Sequence, residues 1–93
     1  VGIKENELII QNLCLNVYPN PTSGVFSLQI EKAPSQPILL RIFNMQGKLV
    51  KEEQLPPHQN VYRVNIEGLG RGNYIVHITD GEQTAIEKFT VIK

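Results

Sequence analysis

The sequence predicts an all-β domain, an immunoglobulin-like antiparallel β-sandwich of about seven strands. Short apolar runs alternate with period two along the chain, and no stretch keeps a helical period for about ten residues. Proline and glycine separate these runs at intervals of roughly 8 to 12 residues, and the connections are too short for parallel crossovers. A small barrel is the second interpretation of the same pattern.

Length and charge narrow the class of protein further. A chain of 93 residues has material for one core. Nine Lys and Arg residues balance nine Asp and Glu residues and are scattered along the chain, so we expect no nucleic-acid partner. Cys14 is the single cysteine, which excludes an internal disulfide and a thiolate metal cluster within one chain. We expect it to be an inert buried thiol, although a linker position would leave it exposed.

The first predicted strand runs from Leu15 to Tyr18. It ends there because Pro19 and Pro21 fix φ and withhold amide donors from the ladder. The other six strands are predicted over residues 25–31, 38–43, 48–54, 60–67, 73–79 and 83–92.

The last predicted strand breaks the simple alternation. Ile86 falls on one parity, whereas Phe89 and Val91 fall on the other. A β-bulge near Glu87 or Lys88 is therefore expected, since an extra residue there would bring all three apolar side chains into the core.

The sequence offers no catalytic, cofactor or metal site. His58 and His77 have no carboxylate or cysteine at ligand or triad spacing, so we interpret both as solvated structural residues. Asp80 is the only aspartate, and the following Gly81 makes a tight hairpin the better explanation than a calcium site. Glu52 and Glu53 are neighbours in a predicted strand, so their side chains point to opposite faces and cannot form an acid–base pair.

Three segments carry a resemblance to a known family, namely LNVYPNPTSG at 15–24, NMQGKLV at 44–50 and LGRGNYIV at 69–76. Together with the final FTVIK they resemble the type A C-terminal sorting domains of the bacterial type IX secretion system, over about residues 15–93. Asn44 stands where the family usually has Asp, and Arg71 where it often has Pro or Ser. The motif residues are Tyr18, Pro19, Asn20, Pro21, Gly24, Gly47, Gly72 and Tyr74.

The resemblance implies a non-enzymatic secretion signal that directs an attached cargo through the outer membrane and is then cleaved off. Residues 1–13 would be the linker from the cargo and residues 14–93 the sorting domain. The implied partners are the outer-membrane translocon and its shuttle protein, a sortase-like cysteine peptidase and the N-terminal cargo domain. The domain would pass through the periplasm to the cell surface or the medium. No cofactor is implied, and exposed edge strands leave a homodimer open.

The C-terminal strand is the first candidate for recognition by the translocon, since an edge strand can be engaged by pairing. The motif residues would shape one end of the sandwich, or would serve folding alone. A non-catalytic adhesion or carbohydrate-binding module appended to a secreted enzyme is the alternative, which a bound glycan would favour. The candidate recognition residues are Lys88, Phe89, Thr90, Val91, Ile92 and Lys93.

Overall fold

The computed structural model describes residues 15–92, and these form seven β-strands. The expectations for the linker, for Cys14 and for Lys93 lie outside the described residues. Every predicted strand is present, with bounds within two residues of those expected. The strands are β1 (Leu15–Tyr18), β2 (Val25–Ile30), β3 (Ile38–Asn44), β4 (Leu49–Leu55), β5 (Val61–Asn65), β6 (Gly72–Thr79) and β7 (Thr84–Val91).

The strands form two antiparallel sheets, which confirms the predicted sandwich. One sheet has three strands in the order β1-β2-β5, and the other has four in the order β4-β3-β6-β7. The strand β3 lies inside the larger sheet, as its apolar residues on both faces predict. The strand β7 is the outer strand of that sheet and pairs with β6 over its whole length.

The core lies between the two sheets and is built from alternate residues of each strand. The ring of Phe26 on β2 lies 4.9 Å from the ring of Phe89 on β7, so this contact joins the sheets. Phe89 also stacks on Tyr74, at 5.7 Å between ring centroids. The buried apolar residues are Val17, Phe26, Leu28, Ile30, Ile38, Leu40, Ile42, Leu55, Tyr62, Val64, Ile66, Tyr74, Val76, Ile78, Phe89 and Val91.

The expected bulge near Glu87 or Lys88 is wrong. β7 pairs with β6 without a register shift, so Ile86 points away from the core and is 62% exposed. Ile86 and Phe89 are three positions apart, and a regular strand places such a pair on opposite faces. Because β7 is an outer strand, the sheet tolerates an apolar side chain on its open face.

A bulge does occur, but between β3 and β4. Ile42 pairs with Lys51 and Phe43 pairs with Leu49, which leaves Val50 as the extra residue. Beyond the bulge, Lys51 and Glu53 lie on the face of β4 that is turned toward the core, and their charged groups are 3.7 Å apart. Inward-facing charges of this kind discourage pairing at an outer strand.

Local side-chain hydrogen bonds build the hairpin turns. Asn44 Oδ1 accepts hydrogen bonds from the backbone amides of Gln46 and Lys48, and Gly47 has a φ of 86°. In the turn from β6 to β7, Asp80 Oδ1 accepts from the amides of Glu82 and Gln83. These backbone donors hold the pKa of the Asp80 carboxyl below its usual value of 3.8.

We predict that Phe89→Ala lowers the free energy of unfolding by about 3–5 kcal/mol, because it empties the contact between the sheets. Ile86→Ala is the matched control and should change it by at most about 0.5 kcal/mol, since its side chain is exposed. Denaturant unfolding measures both. Equal losses for the two variants would contradict the regular register of β7.

We predict a pH dependence that comes from Asp80. Its pKa is lower in the folded chain than in the unfolded chain, so the stability that it contributes is present above the unfolded pKa. That contribution disappears as the pH falls through the folded pKa. Asp80→Asn keeps an acceptor but not the charge, and should reduce the loss of stability below about pH 4. The measurement is the free energy of unfolding of both proteins as a function of pH. An equal loss of this free energy in the two proteins as the pH falls would contradict the prediction.

Candidate functional site

The motif residues lie together at one end of the sandwich, which we call the motif pole. It consists of four segments: residues 18–24, which end β1 and form the following turn, the hairpin at 44–49, the loop and the start of β6 at 66–74, and the end of β7 at 91–92. Strand pairing brings these segments together, because the end of each odd-numbered strand lies beside the start of an even-numbered one. Leu15, where β1 begins, lies at the opposite pole.

The turn between β1 and β2 binds the outer edge of β7. Asn20 Nδ2 donates a hydrogen bond to the carbonyl of Lys88 at 3.2 Å, and Asn20 Oδ1 accepts one from the amide of Thr90 at 3.1 Å. The side-chain amide thus satisfies one donor and one acceptor, as a neighbouring strand would. The peptide bonds before Pro19 and Pro21 are both cis.

Thr22 continues this contact through its own backbone. Its amide donates to the carbonyl of Thr90 at 2.8 Å, and its carbonyl accepts from the amide of Ile92 at 2.9 Å, which makes a parallel bridge to β7. The Thr22 side chain is 1% exposed, and its hydroxyl donates to the carbonyl of Val25 at 2.8 Å. We call the pair formed by Asn20 and Thr22 the edge clamp.

The edge clamp was not expected from the sequence. Asn20 belongs to the motif without a predicted contact, and Thr22 is not singled out by the sequence. The two residues of β7 that bind Asn20, Lys88 and Thr90, lie 68 and 70 positions further along the chain. The one local feature is the polar pair Thr22 and Ser23 between Pro21 and Gly24, and this pattern is equally typical of an isolated turn.

Gly24 links the same turn to the loop at 66–71. Its carbonyl accepts a hydrogen bond from the amide of Ile66 at 2.8 Å. A Cβ at Gly24 would lie 3.3 Å from Cγ of Glu67, which is a close contact. A side chain here would therefore require the Glu67 side chain to move slightly.

Gly72 and Tyr74 form the corner at the start of β6. The Tyr74 hydroxyl donates to the carbonyl of Gly70 at 2.8 Å, while its ring packs on Phe89. This is the arrangement of a tyrosine corner, in which a buried ring ties the preceding loop to the strand. Gly72 has a φ of 150°, and Asn73 beside it accepts a hydrogen bond from the Thr90 hydroxyl at 2.7 Å.

The candidate recognition residues divide into two groups. Phe89 and Val91 are buried in the core, so their side chains anchor the strand. Lys88, Thr90 and Ile92 face outward, and Ile92 is 54% exposed. Lys93 lies outside the described residues. The folded domain therefore presents alternate side chains of its last strand.

Within residues 15–92 no group of three or more His, Cys, Asp or Glu side chains is placed to hold a metal ion. His58 is exposed in its loop. His77 is half-buried on the outer face of β6, and its Nδ1 atom is buried without a hydrogen-bond partner. The same part of the chain contains no helix with the length and apolar character needed to cross a membrane.

The fold defines the class of protein. The chain is similar to the crystal structure of a DUF3244 family protein with an immunoglobulin-like β-sandwich fold from Bacteroides vulgatus. The TM-score is 0.69 at 19% identity, over 94% of this chain and 93% of the other. The domain is thus an immunoglobulin-like β-sandwich. No curated protein sequence matches the chain significantly.

The family follows from the sequence of the same domain. A family model described as "Secretion system C-terminal sorting domain" matches residues 16–93. The chain belongs to this family, the C-terminal sorting signals of the type IX secretion system, as its three motifs predicted. Such a domain interacts with the secretion machinery and marks a protein for export to the cell surface or the extracellular space.

We predict that Asn20→Ala accelerates hydrogen exchange at the Thr90 amide, because that amide loses its acceptor. The loss of two exposed hydrogen bonds should lower the free energy of unfolding by about 1 kcal/mol. Asn16→Ala, a change at an exposed asparagine of β1, is the matched control and should leave both quantities unchanged. Unaltered exchange at Thr90 in Asn20→Ala would mean that the edge clamp does not hold β7.

Proposed function

We propose that the motif pole, together with the outward side chains at the end of β7, is the surface that the outer-membrane translocon and its shuttle protein recognise. The observation that carries this proposal is the distribution of exposed apolar residues. Six large apolar side chains are exposed in residues 15–92. Four of these six lie at the motif pole, namely Tyr18, Met45, Leu49 and Ile92.

Exposed apolar side chains that gather at one end of a small domain are typical of a protein–protein contact. Met45 is 52% exposed and lies beside a cleft of about 300 Å³ between the hairpin loop and residues 71–74. Leu49 is 43% exposed at the start of β4. These residues lie next to the motif positions, so folding and recognition can share the same turns.

Charge supports the same surface. At or near the motif pole, the basic residues Lys48, Arg71 and Lys88 outnumber the acidic Glu67. At the opposite pole the acidic residues outnumber the basic Lys32, and they are Glu31, Asp80 and Glu82. Such an arrangement favours a partner surface that carries acidic groups around an apolar centre. The domain as a whole is neutral, so this asymmetry orients the contact and adds no long-range field.

The cargo attaches on the other side of the domain in this proposal. Residues 1–13 act as its linker and residues 14–93 as the sorting domain. β1 begins at the opposite pole, so the described part of the domain starts away from the motif pole. Leu15 pairs with Ile30, the last residue of β2, and the six residues of β2 span about 20 Å at about 3.3 Å per residue, which is the separation from the motif pole. A folded cargo can thus be carried without covering the recognised surface.

The later steps of the proposal concern the domain as a passive signal. It folds in the periplasm, delivers the cargo to the translocon and is removed by a sortase-like cysteine peptidase. It has no catalytic role and needs no cofactor. No observation favours the adhesion or carbohydrate-binding alternative.

We predict that Leu49→Ser reduces export of a cargo fused to the chain, because it removes an apolar contact at the motif pole. The fusion carries a signal peptide and a reporter before residues 1–93, and is expressed in a strain with an active type IX system. A loss of one interface contact of about 1–2 kcal/mol should lower delivery to the surface or medium several-fold.

Val61→Ser is the matched control, because Val61 and Leu49 are both 43% exposed. Val61 lies at the start of β5, near the opposite pole. Thermal unfolding of both purified variants checks that each is folded. Equal delivery by the two folded variants would refute recognition at the motif pole.

A further inference from the structure

The strand β7 has two edges, and only one of them lies inside the sheet. Its pairing with β6 is regular from Thr84 to Val91, so the backbone groups of successive residues point alternately toward β6 and away from it. The carbonyl of Lys88, both groups of Thr90 and the amide of Ile92 point away from β6, because the edge clamp binds them. The even-numbered residues of β7 therefore form its outer edge.

The edge clamp covers one half of this outer edge. It begins at the carbonyl of Lys88 and continues to Ile92. By the same alternation, the backbone groups of Thr84 and Ile86 and the amide of Lys88 also point outward. Within residues 15–92 these groups have no hydrogen-bond partner. We call the stretch Thr84–Lys88 the open edge.

The side chains of the open edge favour pairing more than those of β4, the other outer strand of the sheet. β4 has a bulge at Val50 and the inward-facing charges of Lys51 and Glu53, which are devices that prevent strand addition. The open edge also carries an inward-facing charge, Glu87, and a lysine, Lys88, at its end, but it has no register shift. Ile86 is the most exposed of the large apolar residues in the described part of the chain.

We propose that the open edge receives an extended segment of the export machinery, which adds to the larger sheet as a fifth strand. This inference rests on the proposed function. Lys88 faces the outer side of the strand and Glu87 the inner side. The incoming segment is therefore expected to place an apolar residue beside Ile86, an acidic residue beside Lys88 and a basic residue beside Glu87.

The position of the open edge agrees with recognition at the motif pole. Lys88 belongs to both, since its carbonyl is bound by the edge clamp and its amide lies on the open edge. A partner bound at the motif pole can thus extend along β7 without displacing Asn20 or Thr22. Backbone hydrogen bonds would supply affinity there, while the side chains of the open edge would set the register.

The test is Ile86→Pro in the reporter fusion of residues 1–93. The amide of Ile86 points outward, so proline there removes a donor from the open edge and leaves the ladder with β6 intact. We expect a folded domain whose delivery falls about tenfold. Ile86→Ala keeps the amide but loses apolar contact, and should have a smaller effect. A folded Ile86→Pro variant that is delivered as well as the wild type would overturn the inference.

Ile86→Lys decides the matter if the proline variant does not fold. It keeps every backbone donor and adds a charge to the open edge, which opposes strand addition. Reduced delivery of this folded variant supports the inference, and unchanged delivery overturns it. A wild-type fusion that is not delivered would instead refute the proposed function itself, and with it this inference.

Hydrogen exchange of purified residues 1–93 distinguishes the other possible occupants. We expect fast exchange at the Ile86 amide at all protein concentrations. Slow exchange that is lost when residues 1–14 are removed would mean that the chain covers its own open edge. Slow exchange that appears only at high concentration would mean that a second copy does. Either result would overturn the inference.

Discussion

The pairing of the turn at 19–22 with the end of β7 is the interaction on which the rest of the motif pole depends. β7 is an outer strand, so β6 holds it on one side only. Its last residues nevertheless carry Phe89 and Val91, which close the core. The edge clamp secures this part of the strand on its second side, through Asn20 and Thr22. One short turn thereby holds the last residues of β7 in place, including the two that are buried in the core.

The same constraint explains why separate sequence motifs lie together. In an antiparallel sandwich, the loops that follow odd-numbered strands fall at one end, and all three motifs include such a loop. Buried aromatic contacts then connect them, since Tyr74 packs on Phe89 and Phe89 packs on Phe26. A surface built in this way is rigid, because each exposed residue follows directly from a strand or turn that the core holds. Rigid presentation suits a surface that the secretion machinery recognises.

The strands could be predicted from the sequence because burial on one face leaves a period of two in each run. The hairpin at Asn44 and the turn at Asp80 were also predictable, since each is closed by its own side-chain hydrogen bonds. The predicted bulge in β7 was wrong because the prediction assumed that Ile86 is buried. An outer strand tolerates an exposed apolar residue that an inner strand would bury. The bulge at Val50 could not be predicted from the sequence pattern. Leu49 and Val50 are both apolar, so the pattern does not show which of them is the extra residue.

Less of the candidate site could be predicted. The motif residues came from a resemblance, and their gathering at one pole follows from counting strands in an antiparallel fold. The contacts of Asn20 could not be derived, because they join residues about seventy positions apart, and side-chain to backbone bonds of that range have no local pattern. The exposure of Met45 and Leu49 depends on how the hairpin leaves the sheet, which alternation alone does not specify.

Site-specific photocrosslinking in cells that export the chain with a cargo tests most directly whether the motif pole faces the export machinery. A photoreactive side chain is placed at Met45, at the motif pole, or at Ser35, in an exposed loop of the opposite pole. The account predicts crosslinks to envelope proteins of the export system from position 45 and none from position 35. Crosslinks from position 35 alone would contradict it.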